Sequence, residues 1–233
     1  MSAFALIPGA GGMAWYWSRV APLLEQAGHT AIAPDLPADD EHSGLPEYAH
    51  LVIDAIGEHR DVVIVAQSMG AFTAPLVCEA IPVRALVFVN GMIPVPGETA
   101  GAWWDNTGVS VARDALAAER GWGEFDLDTY FTHDVPSEIA AEGAEHARDE
   151  VEIAFITPCD FGAWPTAPIH ALAGADDRFF PVDFQRRLAR ERLGVEADVR
   201  PGGHLMALAH PRAVADYLLA VTGLRSPPTS SGR

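Results

Sequence analysis

Asp61-Val62-Val63-Ile64-Val65-Ala66-Gln67-Ser68-Met69-Gly70 decides how this chain folds. Five consecutive apolar residues, Val62–Ala66, follow one acid and run into a serine flanked by small residues. An uninterrupted apolar run has no polar face, so it reads as a strand covered on both sides, as in a parallel sheet. The residues after the turn, Met69–Ala80, have helical spacing. Strand, sharp turn and helix in ten residues place Ser68 at a strand's C-terminal end.

The same alternation spreads in both directions. Upstream, Ala3–Ile7 is a short buried strand that ends in the glycine-rich loop Pro8-Gly9-Ala10-Gly11-Gly12. A helix over Trp15–Ala27, a strand over Thr30–Ala33 and a helix over Pro46–His59 follow. Downstream, Arg84–Val89 is a strand. Residues 91–165 break the rhythm, with Trp, Gly, Pro and acids and only local helical pattern (Ser110–Arg120, Ser137–Arg148). Alternation resumes with strands at Pro168–Ala173 and Val195–Arg200 and helices at Val182–Leu193 and Pro211–Val221. Strands alternating with helices imply a parallel sheet with right-handed crossovers. We expect a core of residues 1–90 and 166–224, a cap insertion over 91–165 at the strand C-termini, and a flexible tail, 225–233.

Composition narrows the function. The chain has 233 residues, 49% hydrophobic and 20% charged, enough for one sizeable core. Fifteen basic against 32 acidic residues give a net charge of −17, which argues against nucleic acid or an anionic membrane as partner. Cys78 and Cys159 form no C-x-x-C pair. No histidines have the i, i+4 spacing of a helical metal site, so neither a disulfide framework nor a metal is expected. With no basic leader and no long apolar run, the expectation is a cytoplasmic protein. Self-association stays open, with a homodimer the form to test.

Ala66-Gln67-Ser68-Met69-Gly70 is a G-x-S-x-G elbow with alanine in the first glycine position. Such a turn needs small residues on either side because strand and helix crowd it. The simpler reading is that Ser68 only caps a helix. A nucleophilic serine needs a base. His204, in Arg200-Pro201-Gly202-Gly203-His204, follows a late strand and suits the role; His210 is its nearest rival. An orienting acid belongs between them in the chain, and Gly174-Ala175-Asp176-Asp177 offers two. The strand end at Asn90 is neutral, which leaves the role to that loop. Backbone N–H groups of Met69 and Ala10 are the expected oxyanion donors. Gly9-Ala10-Gly11-Gly12-Met13-Ala14 with Asp35 also fits a dinucleotide fingerprint on paper, but that reading leaves Ser68 and the late Asp–His pair unexplained.

Four segments, LIPGAGG with MAWYW, AQSMG, GADDRFFPVDFQRR and PGGHLMALAHP, together resemble the α/β-hydrolase superfamily. More narrowly they are similar to the compact plant methylesterase and hydroxynitrile-lyase branch and its bacterial esterase relatives. The resemblance runs from Ala3 to about Leu219. It implies a three-layer α/β fold of about six mainly parallel strands, helices on both faces and a small cap. It implies a triad of Ser68, Asp177 and His204, since the family's acid lies three residues after the glycine position and four before a proline, which favours Asp177 over Asp176. It implies no cofactor. Cyanohydrin-cleaving relatives carry threonine where Gly9 stands and lysine where Leu205 stands, so ester hydrolysis is favoured over lyase chemistry. The expected substrate is a small, largely apolar ester or lactone. Trp103, Trp104, Trp122, Phe125 and Leu205 are the expected pocket residues; the insertion aromatics, with Tyr130 and Phe131 among them, are read as an apolar wall or as a local core, one or two of them facing the site. The competing reading is a non-hydrolytic lyase, cyclase or ligand receptor on the same fold.

Overall fold

In the computed structural model, which describes residues 1–223, six parallel strands form the central sheet. They are β1 (Ala3–Ile7), β2 (Thr30–Ile32), β3 (Val62–Gln67), β4 (Ala85–Val89), β7 (Ile169–Gly174) and β8 (Asp198–Arg200), in spatial order β2-β1-β3-β4-β7-β8. The chain starts one strand in from an edge, adds that edge as β2, returns past β1 to β3 and then builds out to the other edge. That reversal puts the C-terminal ends of β1 and β3 side by side, with Ile7 opposite Ala66, where open α/β sheets leave a crevice.

Side-chain alternation sorts the sheet's two faces. Ala5, Ile7, Val62, Ile64 and Ala66 pack on one side with α2 (Leu45–Ile56), α3 (Gly70–Ala80) and α8 (Val182–Leu193). Phe4, Leu6, Val63 and Val65 pack on the other with α1 (Ala21–Gln26), α9 (Met206–Ala209) and α10 (Pro211–Val221). All six residues of β3 are buried, as its unbroken apolar run requires.

Element boundaries moved where local chemistry intervenes. The helix expected over Trp15–Ala27 is a 3-10 turn, Ala14–Trp17, followed by α1, which restarts with Pro22 in its first turn, the place where a missing N–H costs least. The helix expected to run to His59 ends at Ile56, before Gly57. The strand expected from Val195 begins only at Asp198. Gly194 caps α8 in the left-handed region, and the Val195 N–H turns back to the Ala189 carbonyl.

Within residues 91–165 lie α4 (Ala100–Thr107), α5 (Val109–Arg120), a π turn at Asp128–Thr132, α6 (Ser137–His146) and α7 (Glu152–Ile156). Two two-residue strands, β5 (Glu98–Thr99) and β6 (Pro158–Cys159), pair antiparallel where no strand was expected. They close the segment's base. The tail over 225–233 lies outside the described residues, as does Leu224. Among those described, no helix is long and apolar enough to cross a membrane.

Candidate active site

The turn after β3 holds Ser68 at φ +48°, one of two non-glycine residues in the left-handed region among those described; the other is Asn90, φ +46°. Such a conformation costs about 1–3 kcal/mol and persists only where the surroundings enforce it. Here the Ser68 N–H bonds the Val89 carbonyl (3.3 Å), and the Ser68 carbonyl accepts from Ala71 (3.2 Å) and Met92 (2.9 Å). Gly70 is required by contact: a Cβ there would lie 2.3 Å from the Pro8 carbonyl oxygen. At the first small position, Ala66 is fully buried between Ile7 and Phe88, and its methyl is accommodated.

Ser68 does not cap the helix. Met69 is the N-cap of α3 and makes no side-chain cap bond. The Ser68 hydroxyl instead lies 3.0 Å from His204 Nε2, and His204 Nδ1 lies 2.9 Å from Asp177 Oδ2. All three side chains are buried, with Ser68 the most open at 8% exposed. Asp177 Oδ1 also accepts the N–H groups of Phe179 (2.9 Å) and Phe180 (2.8 Å), and Oδ2 accepts from Gln185 Nε2 (3.1 Å). This carboxylate is fully bonded and cannot swing. The alternative acid, Asp176, instead accepts the Gly202 N–H (3.2 Å). His210 lies apart, 3.7 Å from Asp134. Rings of Phe131, Phe179 and Phe180 meet the His204 imidazole edge-on at centroid distances of 5.1, 5.1 and 4.8 Å, an apolar collar that keeps bulk water from the Asp–His pair.

The loop carrying His204 is held at nearly every polar backbone atom. Asn90 Nδ2 donates to the carbonyls of Gly203 (3.0 Å) and His204 (3.1 Å), while its Oδ1 accepts the Gly174 N–H (2.8 Å). Gln67 Nε2 reaches the His204 carbonyl at 3.5 Å, and the Gly203 N–H donates to Asp134 Oδ2 at 2.6 Å. Asn90, dismissed from sequence as too neutral to serve as the acid, is the bracket of the histidine loop. Its signal was a polar residue ending an otherwise apolar strand.

Ser68 and His204 open into a cavity of about 670 Å3 beneath the 91–165 segment. Its walls are almost wholly apolar and include Met13, Trp15, Met92, Phe131, Ile139 and Leu208. Burial pushes the Tyr16 phenol, also in the wall, far above its usual range, so it stays neutral. Ala10 and Met69 line the same cavity, and neither amide donates to a backbone carbonyl among the described residues.

Of the five expected pocket residues, Trp104 and Leu205 reach the cavity wall. Trp103, Trp122 and Phe125 do not. Trp103 is fully buried, bonds the Ile93 carbonyl through Nε1 (3.0 Å) and props Phe180 from behind. Trp122 lies under the Arg178 guanidinium, 4.6 Å from its ring centre, beside a separate, more polar cavity beyond Asp177. Phe125 is 53% exposed and stacks on Tyr130. These three pack against the partners nearest to them, Trp103 on Phe180 and Phe184, Trp122 under Arg178 and Phe125 on Tyr130, since aromatics bury area wherever a partner is close. Phe131, another of the aromatics read as an apolar wall, lines the cavity with Trp104; the small-residue face of α6 (Ala140, Gly143, Ala144) lines it without having been expected, since alanines on a polar helix carry little sequence signal.

A model of the alpha/beta hydrolase family matches residues 4–217, and the chain belongs to that family. Methylesterase 9 of Arabidopsis thaliana is 24% identical across a 258-position alignment that covers 95% of this chain and 98% of that protein. The crystal structure of polyneuridine aldehyde esterase superposes with a TM-score of 0.78 at 20% identity, covering 95% of this chain and 99% of that one. A pyrethroid hydrolase from Sphingobium faniae gives 0.77 at 21% identity, over 95% and 97% of the two chains. At these identities the superpositions establish the shared fold.

Proposed function

We propose that this chain is a serine hydrolase that cleaves an uncharged, largely apolar carboxylic ester or lactone through an acyl-enzyme. One observation carries the reading: His204 bridges the Ser68 hydroxyl and the Asp177 carboxylate at hydrogen-bonding distance on the floor of an apolar cavity. The esterase relative that spans nearly the whole chain supports the same reaction class.

In this mechanism Ser68 Oγ attacks the ester carbonyl while its proton passes to His204 Nε2. Asp177 fixes the Nδ1–H tautomer and stabilises the imidazolium. The Ala10 and Met69 amides receive the developing oxyanion; one such donor lowers the barrier by roughly 3–4 kcal/mol. Collapse expels the alkoxide, which takes the proton from His204. Water, deprotonated by His204, then attacks the acyl-enzyme and frees the acid and Ser68. Leu205 after the histidine leaves no cation beside the leaving group, which disfavours cyanide release. The volume of about 670 Å3 has room for more than the smallest esters.

Hydrolysis of 4-nitrophenyl esters tests the proposal. Ser68→Ala is expected to lower kcat by on the order of a thousandfold or more, and a fluorophosphonate is expected to label Ser68 alone. Ester hydrolysis that survives Ser68→Ala undiminished would refute the triad mechanism.

A further inference from the structure

The loop bearing Ala10 is fixed by a residue 139 positions away. Four successive peptide groups, from 9–10 to 12–13, are pinned. The Gly12 N–H bonds the Gly9 carbonyl (3.0 Å), which orients the 9–10 peptide. In a trans peptide the N–H points opposite to the C=O, so holding the Gly9 carbonyl inward turns the Ala10 N–H outward, consistent with Ala10 lining the cavity. The next peptide donates its Gly11 N–H to Glu150 Oε2 at 2.8 Å. Beyond it, the Gly12 carbonyl accepts from Leu36 N–H (2.8 Å) and Arg148 Nη2 (3.2 Å).

The strand of chain over residues 147–151 acts as a strap across this loop. Gly11 stands at φ +81°, and a Cβ there would lie 2.7 Å from the Arg148 carbonyl oxygen. The strap is itself tied down: Arg148 Nη2 bonds Asp35 Oδ1 (2.8 Å), and the Val151 N–H bonds the Ala38 carbonyl (2.8 Å). Glu150 Oε1 accepts the Tyr48 hydroxyl of α2 (2.6 Å), so both carboxylate oxygens are engaged and the carboxylate cannot turn from Gly11.

We propose that Glu150 is a positioning residue for the oxyanion hole, aiming the Ala10 N–H by holding the Gly11 amide. The inference rests on the hydrolase reading above. Oxyanion stabilisation depends on donors set at hydrogen-bond distance from where the charge develops, and such bonds weaken steeply off-axis. A loop of four small residues, three of them glycine, has no stiffness of its own and takes its shape from outside. Glu150 is an unusual choice on stability grounds alone: burial raises its carboxyl above the ordinary value, so the ionised form is held at a cost to folding.

Glu150→Met removes the acceptor and keeps the side-chain length; Glu150→Gln keeps an oxygen for Gly11. Each variant is assayed on a 4-nitrophenyl ester, with active sites counted by fluorophosphonate titration, beside the inhibition constant of an aryl trifluoromethyl ketone as mimic of the tetrahedral intermediate. For Glu150→Met, kcat per titrated site falls about tenfold, part of the effect of losing one donor. KM stays within about twofold, and the ketone weakens in parallel with kcat. Glu150→Gln restores most of both. A merely structural loss lowers the number of titrated sites and the melting temperature without changing kcat per site. If Glu150→Met does not fold, Tyr48→Phe releases Oε1 and gives a smaller fall in the same direction. Unchanged kcat per site and unchanged ketone inhibition in the folded variant overturn this inference and leave the hydrolase reading intact. Wild-type protein whose hydrolysis is independent of Ser68 overturns both.

Discussion

Ser68 and Asn90 share a left-handed backbone because both end a buried strand and turn sharply at the sheet's C-terminal rim. The two turns are complementary. One lifts a hydroxyl out of the sheet, and the other aims an amide at the loop that brings His204 to it. Removing the Asn90 amide leaves two buried carbonyls and the Gly174 N–H short of a partner, at a cost of about 1–3 kcal/mol for each group that stays unsatisfied. Asn90→Ala is therefore expected to lose a few kcal/mol in urea denaturation and to lower kcat by on the order of tenfold through a misplaced histidine. Full activity in that variant would show that the Gln67 and Asp134 bonds hold the loop unaided. The motif pentapeptide was readable because its residue types are forced by crowding. The Asn90 role was not, since an asparagine ending a strand signals a turn and says nothing of which loop crosses it.

Between β4 and β7 the chain spends some 75 residues on short helices that bury few residues of their own; α6 has none fully buried. Specific polar contacts hold this segment down. Glu98 and Arg192 form a buried pair, Nη2 to Oε1 at 3.0 Å, and Arg192 also meets the Ile93 carbonyl at 2.7 Å. This joins β5 to α8, and hence the 91–165 segment to a helix that packs on the main sheet. Arg192→Met leaves the Glu98 carboxylate buried without its cation, so a loss of about 3–5 kcal/mol is expected by chemical denaturation. The double variant Glu98→Gln with Arg192→Met recovers most of it, because the uncompensated charge is gone. Equal losses in the single and double variants would show that packing of the Arg192 stem, and not the buried charge, carries the effect. Helical stretches within 91–165 were partly visible from spacing. Their docking was not, because single long-range charge pairs leave no periodic trace.

Acidity sets how the whole molecule responds to its solvent. The charge of −17 opposes compaction, so added salt is expected to stabilise the fold by screening. On the acid side one group stands out. His170, inside β7, has a buried Nε2 without a partner among the described residues, and burial lowers its pKa below the ordinary 6.5 while Asp198 pulls the other way. Above pH 6.5 the ring is neutral in folded and unfolded chains alike and contributes no pH slope. Below it, the unfolded chain takes up a proton that the folded one resists, so stability falls as pH drops from 6.5 towards the depressed native value. His170→Val is expected to flatten that part of the stability curve in urea titrations at about pH 7.5 and 5.5. An unchanged slope would place the acid sensitivity elsewhere.

Legible from the residues alone were the alternation of strands and helices and the serine at the end of the central strand. These are local consequences of side-chain period, steric crowding and turn chemistry, and a few neighbouring residues are enough to express them. Packing in three dimensions set which aromatics face the cavity, that Asn90 brackets the histidine loop, and that Glu150 and Asp134 reach the two glycine loops. Such contacts join residues separated by 69 to 139 positions. Their partners are backbone N–H and C=O groups, which nearly every residue carries, so no residue type in the sequence marks them in advance.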